Sequence, residues 1–442
     1  MKFGKTLFVF TAVFVCAFVI GCTKPQTGVY LLNFKPEIDK TFGEVAAQFT
    51  KETGISMKVV TAASGTYEQS LRSELNKKAA PTLFSLNGPV GYNQWKDFTA
   101  DLKDSNVYGW LLDKSTAITD DGGVYGIPWT IETYGIIYND EILRRYFALK
   151  ARANKELNSA TEINNFAKLA AVSLDIQAHK SDLKIEGAFA STSFTPGEDW
   201  RWNTHLANLP IFYEYKDKGV SDENEVTFSF ADNFKNIFDL YINNSITDRK
   251  LVGSMTVGDS MSEFAMGKVA FVQNGTWGWS QISNESGNVV KREDVKFLPI
   301  YTGAPGEESQ GLCTGTENFI AINKKVSAES QAASMQFLEW LFNTPQGREN
   351  AYKKLGFVAP FSTFSAEEIP DDPLVAEMFR YMNDSSKYSV SWVFQTFPSQ
   401  EFKNIFGASL LDYTVGNKQW DDVKNTFIST WASEKNAVQY TH

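Results

Sequence analysis

Two pairs of tryptophans in this chain stand one residue apart, each among groups that hydrogen-bond. Asn274-Gly-Thr-Trp277-Gly-Trp279 follows MGKVAFVQ, which reads as a short strand and a turn. In Glu198-Asp199-Trp200-Arg201-Trp202 the rings alternate with charges. Flat aromatic faces beside amides and carboxylates can hold a ligand by its apolar faces and its polar rim. The same rings can plug a core, and spacing alone leaves both readings open. Other chemistry has less support. His179, His205 and His442 are the only histidines, and with Cys16, Cys22 and Cys313 they form no metal-ligand or nucleophile spacing. Cys313 reads as a small buried hydrophobe. No metal or cofactor is expected.

The elements that must position these residues begin behind a targeting segment. Lys2 and Lys5 precede an apolar run from Leu7 to Ile20. The run falls short of the ~20 residues of a membrane span but suits a signal peptide, residues 1–21. It ends in Val19-Ile20-Gly21-Cys22, which resembles a bacterial lipobox and implies a lipid on Cys22. Residues 22–28 then read as a tether. The remainder, about 420 residues, is long enough for two domains with separate cores. A net charge of −10 makes nucleic acid and anionic membrane surfaces poor partners.

Past the tether, VYLLNF (29–34) reads as a buried strand, and Ile38, Phe42, Val45 and Phe49 form one helical face that Gly54 caps. Ile55, Met57 and Val59 alternate as a strand. Thr66 and Gln69 have the spacing of a capping box, and PTLFSLN (81–87) is a third strand. TYGIIYN, VAFVQ, KFLPIY (296–301) and NFIAINKK add strands; DEILRRYF and SAESQAASMQFLEWLFN are helices; the C-terminal part is mostly helical. TGAPGEESQGLCTGTE (302–317) reads as a glycine-rich crossing loop. Alternating strands and helices predict an α/β fold.

FTKETGI (49–55), GVYGIPWTIETYGIIYND (123–140), FAMGKVAFVQNGTWGWSQI (264–282) and INKKVSAESQAASMQFLEWLFNTPQGRE (322–349) occur in an ordered series. That series resembles the extracellular solute-binding proteins of ABC importers, in the sugar-binding group to which maltose-binding protein belongs. The resemblance implies a two-lobed periplasmic-binding-protein fold with a ligand cleft between lobes joined by crossing strands. Carried over, lobe one is 29–131 plus 317–356 and lobe two is 132–316 plus 357–442. It further implies a monomer that delivers a carbohydrate to a membrane permease and is not an enzyme.

A sugar presents C–H faces and a hydroxyl rim, so its site needs aromatic planes with carboxylates and amides. The resemblance puts Trp277 at the stacking position, with Asn274 and Trp279 beside it; Thr276 stands where that group often has proline. Glu132, four residues after Pro128, matches a ligand-binding carboxylate, with Trp129 and Tyr134 at its flanks. Trp200 and Trp202 fall where the second lobe presents an aromatic, and Glu317 lies on the returning crossing strand. Trp392 and Phe397 are weaker candidates. Loops at the carboxyl ends of lobe-one strands face the cleft: Asn33, Phe34 and Glu37; Ser64, Gly65 and Thr66; and Asn87. The Ser64 loop opens a helix whose free N–H groups can bind an oxygen, although Thr66 can equally be only a cap. Serine, leucine, asparagine and glycine replace the tryptophan and aspartate of the maltose-binding pattern near Asn87, so the resemblance does not extend to maltodextrin. Two alternatives stay open. One is a polyamine as cargo. The other is a surface glycosidase, which would need two carboxylates such as Glu132 and Asp199 ~5 or ~6.5–9.5 Å apart.

Overall fold

The computed structural model describes residues 28–439, except Ser64 and Thr192. The expected signal peptide, Cys22 and the tether as far as residue 27 lie outside the described residues, as does Ser64. Gly28, the last residue of the expected tether, already opens a strand.

That strand, β1 (Gly28–Asn33), is buried along its whole length, as a central strand of a parallel sheet must be. It lies between β2 (Ser56–Thr61) and β3 (Leu83–Asn87), both parallel to it. Helix α1 (Asp39–Thr53) buries Phe42, Val45 and Phe49. It ends at Gly54, whose N–H donates to the Thr50 carbonyl and whose φ of 74° then turns the chain out of the helix. With β4 (Ile118–Asp120), β5 (Gly123–Pro128) and β11 (Asn318–Ile322), the first sheet has the order β2-β1-β3-β11-β5-β4.

The second sheet is built around β6 (Glu132–Asn139), all eight residues of which are buried. β8 (Val269–Gly275) pairs with one side of β6, and β7 (Gly187–Phe189) pairs with β8. On the other side, β10 (Gln310–Gly315) pairs with the first half of β6 and β9 (Val295–Leu298) with the second, and β12 (Tyr388–Ser391) lies outside β10. The apolar clusters divide in the same way. Phe42, Ile127, Trp129, Ile320 and Phe337 share one core, and Tyr134, Phe189, Phe238, Phe406 and Trp431 share another. Among the described residues no cluster mixes the two sets. The architecture is a two-lobed α/β fold. Its chain passes between lobes at 129–131 and at 316–317.

Four expectations need correction. The glycine-rich segment is not all loop, because it contains β10. Its glycines are packing devices: a Cβ on Gly315 would lie 2.7 Å from the Trp392 ring, and one on Gly311 would lie 3.0 Å from the Tyr388 carbonyl. KFLPIY is a strand only as far as Leu298, next to Pro299. The capping box at Thr66 does not form. Thr66 has φ −113° and ψ 6°, outside the extended region a cap prefers, and its hydroxyl donates back to the Ala63 carbonyl at 2.9 Å. Finally, Phe357 and Phe361 are buried in the first core and Phe364 packs on it, so the third passage lies after Phe364 rather than at 356–357.

Candidate ligand-binding site

The carboxyl ends of β1 and β3 and the loop after β2 point toward the second lobe. Asn33 makes the turn after β1. Its side-chain amide donates to the Lys35 carbonyl (2.8 Å) and to Thr61 Oγ1 (3.1 Å), and its Oδ1 accepts from the Lys35 N–H (3.1 Å). Asn33 is therefore spent on shaping the loop, and Phe34 on an edge contact with Tyr67 at 4.9 Å. The loop presents Lys35. Lys35 Nζ donates to Glu132 Oε1 at 2.7 Å and to Glu37 Oε1 at 3.3 Å, and it sits 5.9 Å from the centre of the Trp277 ring. Burial works against the Lys35 charge, yet Glu132 and Glu37 hold its pKa above the ordinary lysine value. Glu132 is 8 % exposed. Burial raises its carboxyl pKa against the pull of Lys35.

Trp277 lies in a 3-10 turn, Thr276–Gly278, directly after β8. The turn works because residue 275 is glycine: a Cβ there would meet the Trp277 ring at 2.2 Å. The half-buried ring is 6.1 Å from Trp200 and 5.6 Å from His205. His205 stacks on Tyr134 at 4.2 Å, and Trp392 lies 6.1 Å from His205. A continuous row of rings thus runs from Trp200 through Trp277 and His205 into the lobe-two core. Burial, with Lys403 and Arg201 adding to it, holds the His205 pKa well below its ordinary value, so the imidazole is neutral. Neither His205 nor Lys403 was singled out from sequence, where each is an isolated residue inside a helical pattern.

A second charged group lies beside Asn87. Burial raises the pKa of Glu317 and Glu68, while Lys403 favours the ionised form of both. Burial lowers the pKa of Lys403 against the attraction of the same two carboxylates. The Trp95 indole donates to Glu68 Oε2 at 2.8 Å. Asn87 borders this space with Glu68 and Lys403. The lobes also touch at Gly65 and Gly197, both at positive φ; a Cβ on Gly65 would fall 2.6 Å from the Gly197 Cα. Thr66 follows Gly65 in that loop.

Other candidates are turned inward. Trp129 is core in lobe one, edge-on to Phe42 and Phe342, with its indole donating to Ser85 Oγ at 3.2 Å. Trp202 is core in lobe two, against Phe194, Phe238 and Tyr241, with its indole donating to the Ser193 carbonyl. Asn274 is fully buried, and its amide donates to Gln281 Oε1 at 3.1 Å and to Met261 Sδ. Trp279, half-buried like Trp277, starts the helix Trp279–Ser283 and packs on the core cluster of lobe two that Trp200 also touches. It shares none of the ring contacts that join Trp277 to Trp200 and His205. The possible acid pair is engaged elsewhere. Glu132 is held by Lys35, and Asp199 is hydrogen-bonded by Asn203 and faces Gly407 on the helix Gln400–Val415.

The sequence profile described as bacterial extracellular solute-binding protein matches residues 44–377. Among solved structures, a chitin oligosaccharide binding protein superposes with a TM-score of 0.72 at 14% identity, covering 93% of this chain and 98% of that one. The solute-binding protein RafE in complex with raffinose gives 0.69 at 18% identity, covering 92% and 99%. A sugar transporter from Bacillus licheniformis in complex with stachyose gives 0.67 at 16%, covering 92% and 100%. At these identities the likeness shows the fold, two lobes around a cleft. The profile, spanning most of the chain, shows the family: this chain belongs to the bacterial extracellular solute-binding proteins.

Proposed function

We propose that the chain captures a carbohydrate, of oligosaccharide size, in the cleft between its lobes and delivers it to an ABC permease. The observation that carries this reading is the half-buried Trp277 ring, joined edgewise to Trp200, with the Lys35–Glu132 ion pair beside it. An aromatic plane suits the C–H face of a sugar, and the charged groups suit its hydroxyls. On this reading Trp277 and Trp200 stack, while Lys35, Glu37, Glu132, Glu317 and Lys403 share hydrogen bonds with the rim. The raffinose, stachyose and chitin oligosaccharide in the names of similar structures support the ligand class. The reading includes lipid anchoring at Cys22, an extracytoplasmic location and a monomeric state. It also takes the site to bind rather than hydrolyse, since Glu132 and Asp199 are each held by other partners.

Glu37, Glu68, Glu132 and Glu317 outnumber Lys35 and Lys403 around the cleft, which favours a polyamine as the second reading. A thermal-shift screen separates the two, because a ligand bound only by the folded form raises Tm. Raffinose, stachyose or chitin oligosaccharides should raise it and spermidine should not. A rise with spermidine alone would replace the first reading by the second.

A further inference from the structure

A cavity of about 530 Å³ lies away from the cleft, on the far side of the strands that join the lobes. The sheet orders place it. β4 ends the first sheet and β12 ends the second, whereas β1 and β8, which lead to Lys35 and Trp277, lie across the joining strands β5, β6, β10 and β11. One wall comes from β4 and the helix Gly88–Trp95, the other from Ser391 and Trp392, and Thr314–Thr316 lies between them. The volume falls within the ~300–1,000 Å³ typical of small-molecule sites.

The lining is aromatic and hydroxyl-rich. Tyr92 stacks on Tyr125 at 5.2 Å, and its hydroxyl donates to Asp120 Oδ2 at 2.8 Å. Thr119 and Ser391 offer exposed hydroxyls from opposite lobes. Trp392 borders the cavity and is 6 % exposed.

We infer that this cavity is a second ligand site, for one uncharged sugar ring or a similar cyclic polyol, with the Thr119 and Ser391 hydroxyls bonding to it from opposite lobes. Because its walls belong to both lobes, an occupant is coupled to the lobe angle and so to affinity in the cleft. The inference goes beyond the reading of the cleft and stands if the cleft's cargo proves to be different.

The test uses the full chain labelled with 5-fluorotryptophan and followed by fluorine NMR, with the Trp392 signal assigned by its loss in Trp392→Phe. Glucose, galactose and N-acetylglucosamine are titrated separately. At least one should move the Trp392 signal saturably, in the unaltered protein and in Trp277→Ala alike. Thr119→Phe and Ser391→Phe, which fill the cavity from opposite walls at exposed positions, should abolish the movement while leaving the other tryptophan signals in place. A Trp392 signal that stays still with all three sugars overturns the inference. So does movement that persists in both filled variants, or that vanishes in Trp277→Ala, since the binding would then belong to the cleft.

Discussion

Lobe one meets the cleft with strand-end loops and lobe two meets it with rings. The lobe-one face carries Lys35 and Glu37 on the turn shaped by Asn33, Glu68 at the start of a helix, and the Gly65 backbone. Across from it stand Trp200, Trp277 and His205, supported by a large aromatic core. Ring stacking needs area and tolerates displacement, whereas charged hydrogen bonds need fixed geometry. On the proposed reading a ligand settles on lobe two first and is fixed in place when lobe one closes, the closed state being favoured because both faces then touch it.

Removing a ring from each side of the lobe-two surface tests this division most severely. Trp202→Ala should lower folding stability by ~3–5 kcal/mol, as a buried tryptophan cut to alanine does, with little change in ligand affinity for the fraction that stays folded. Denaturant unfolding measures it, and a near-normal midpoint would mean that Trp202 is not the core support described. Asp199, beside the platform, is next. Burial pushes its pKa up to about 6 from 3.8, so the folded state holds its proton longer than the unfolded state does. Stability should consequently fall as pH rises from about 4 to about 6 and then level off. Asp199→Asn should flatten that slope and stabilise the protein at pH 7 by no more than about 3 kcal/mol, since each tenfold change in an acid's dissociation constant is worth about 1.4 kcal/mol. Thermal melts from pH 4 to 7 check the sign.

On the lobe-one side, Lys35→Met and Glu132→Gln should each destabilise more than the double variant's share, because each leaves a buried partner unpaired. A double-mutant cycle should return a coupling of roughly 0.5–3 kcal/mol; additivity would mean that the pair does not link the loop to the crossing strand. The smallest effect concerns the mouth. Gly65→Ala adds a Cβ against Gly197 at φ 70°, at a cost of roughly 1–2 kcal/mol. Small-angle scattering at saturating ligand should show a larger radius of gyration than the unaltered protein, and an identical curve would remove Gly65 from the closing contact.

The contrast between lobes also marks where the sequence could be read. Alternation and helical stripes located β1, α1, β6, β8 and β11, because buried strands and amphipathic helices leave periodic patterns. β10 was hidden, since its glycines serve close packing against Trp392 and Tyr388 and look like loop residues. Pairs of tryptophans at i and i+2 resemble a strand that shows one face. In fact Trp202 lies in the helical turn Arg201–Leu206 and Trp279 begins a helix, where i and i+2 diverge. The rings of each pair therefore meet different neighbours: Trp200 and Trp277 contact each other, Trp202 lies in the lobe-two core, and Trp279 packs elsewhere. Lys35 was legible only as part of a strand-end loop, because its partner Glu132 is distant in sequence. That the lobes are discontinuous came from resemblance alone; periodicity does not record which sheet a strand joins.

Trp277→Ala tests the central claim most directly. Stacking on a sugar ring removes on the order of 100 Å² of apolar surface from water, worth roughly 2.5 kcal/mol at about 25 cal/mol per Å², or about two decades in Kd. Titration calorimetry with the oligosaccharide that gives the largest thermal shift should show that loss, while the Tm of the unliganded variant stays near normal. A strongly lowered Tm with unchanged affinity would make Trp277 a core residue and contradict the account.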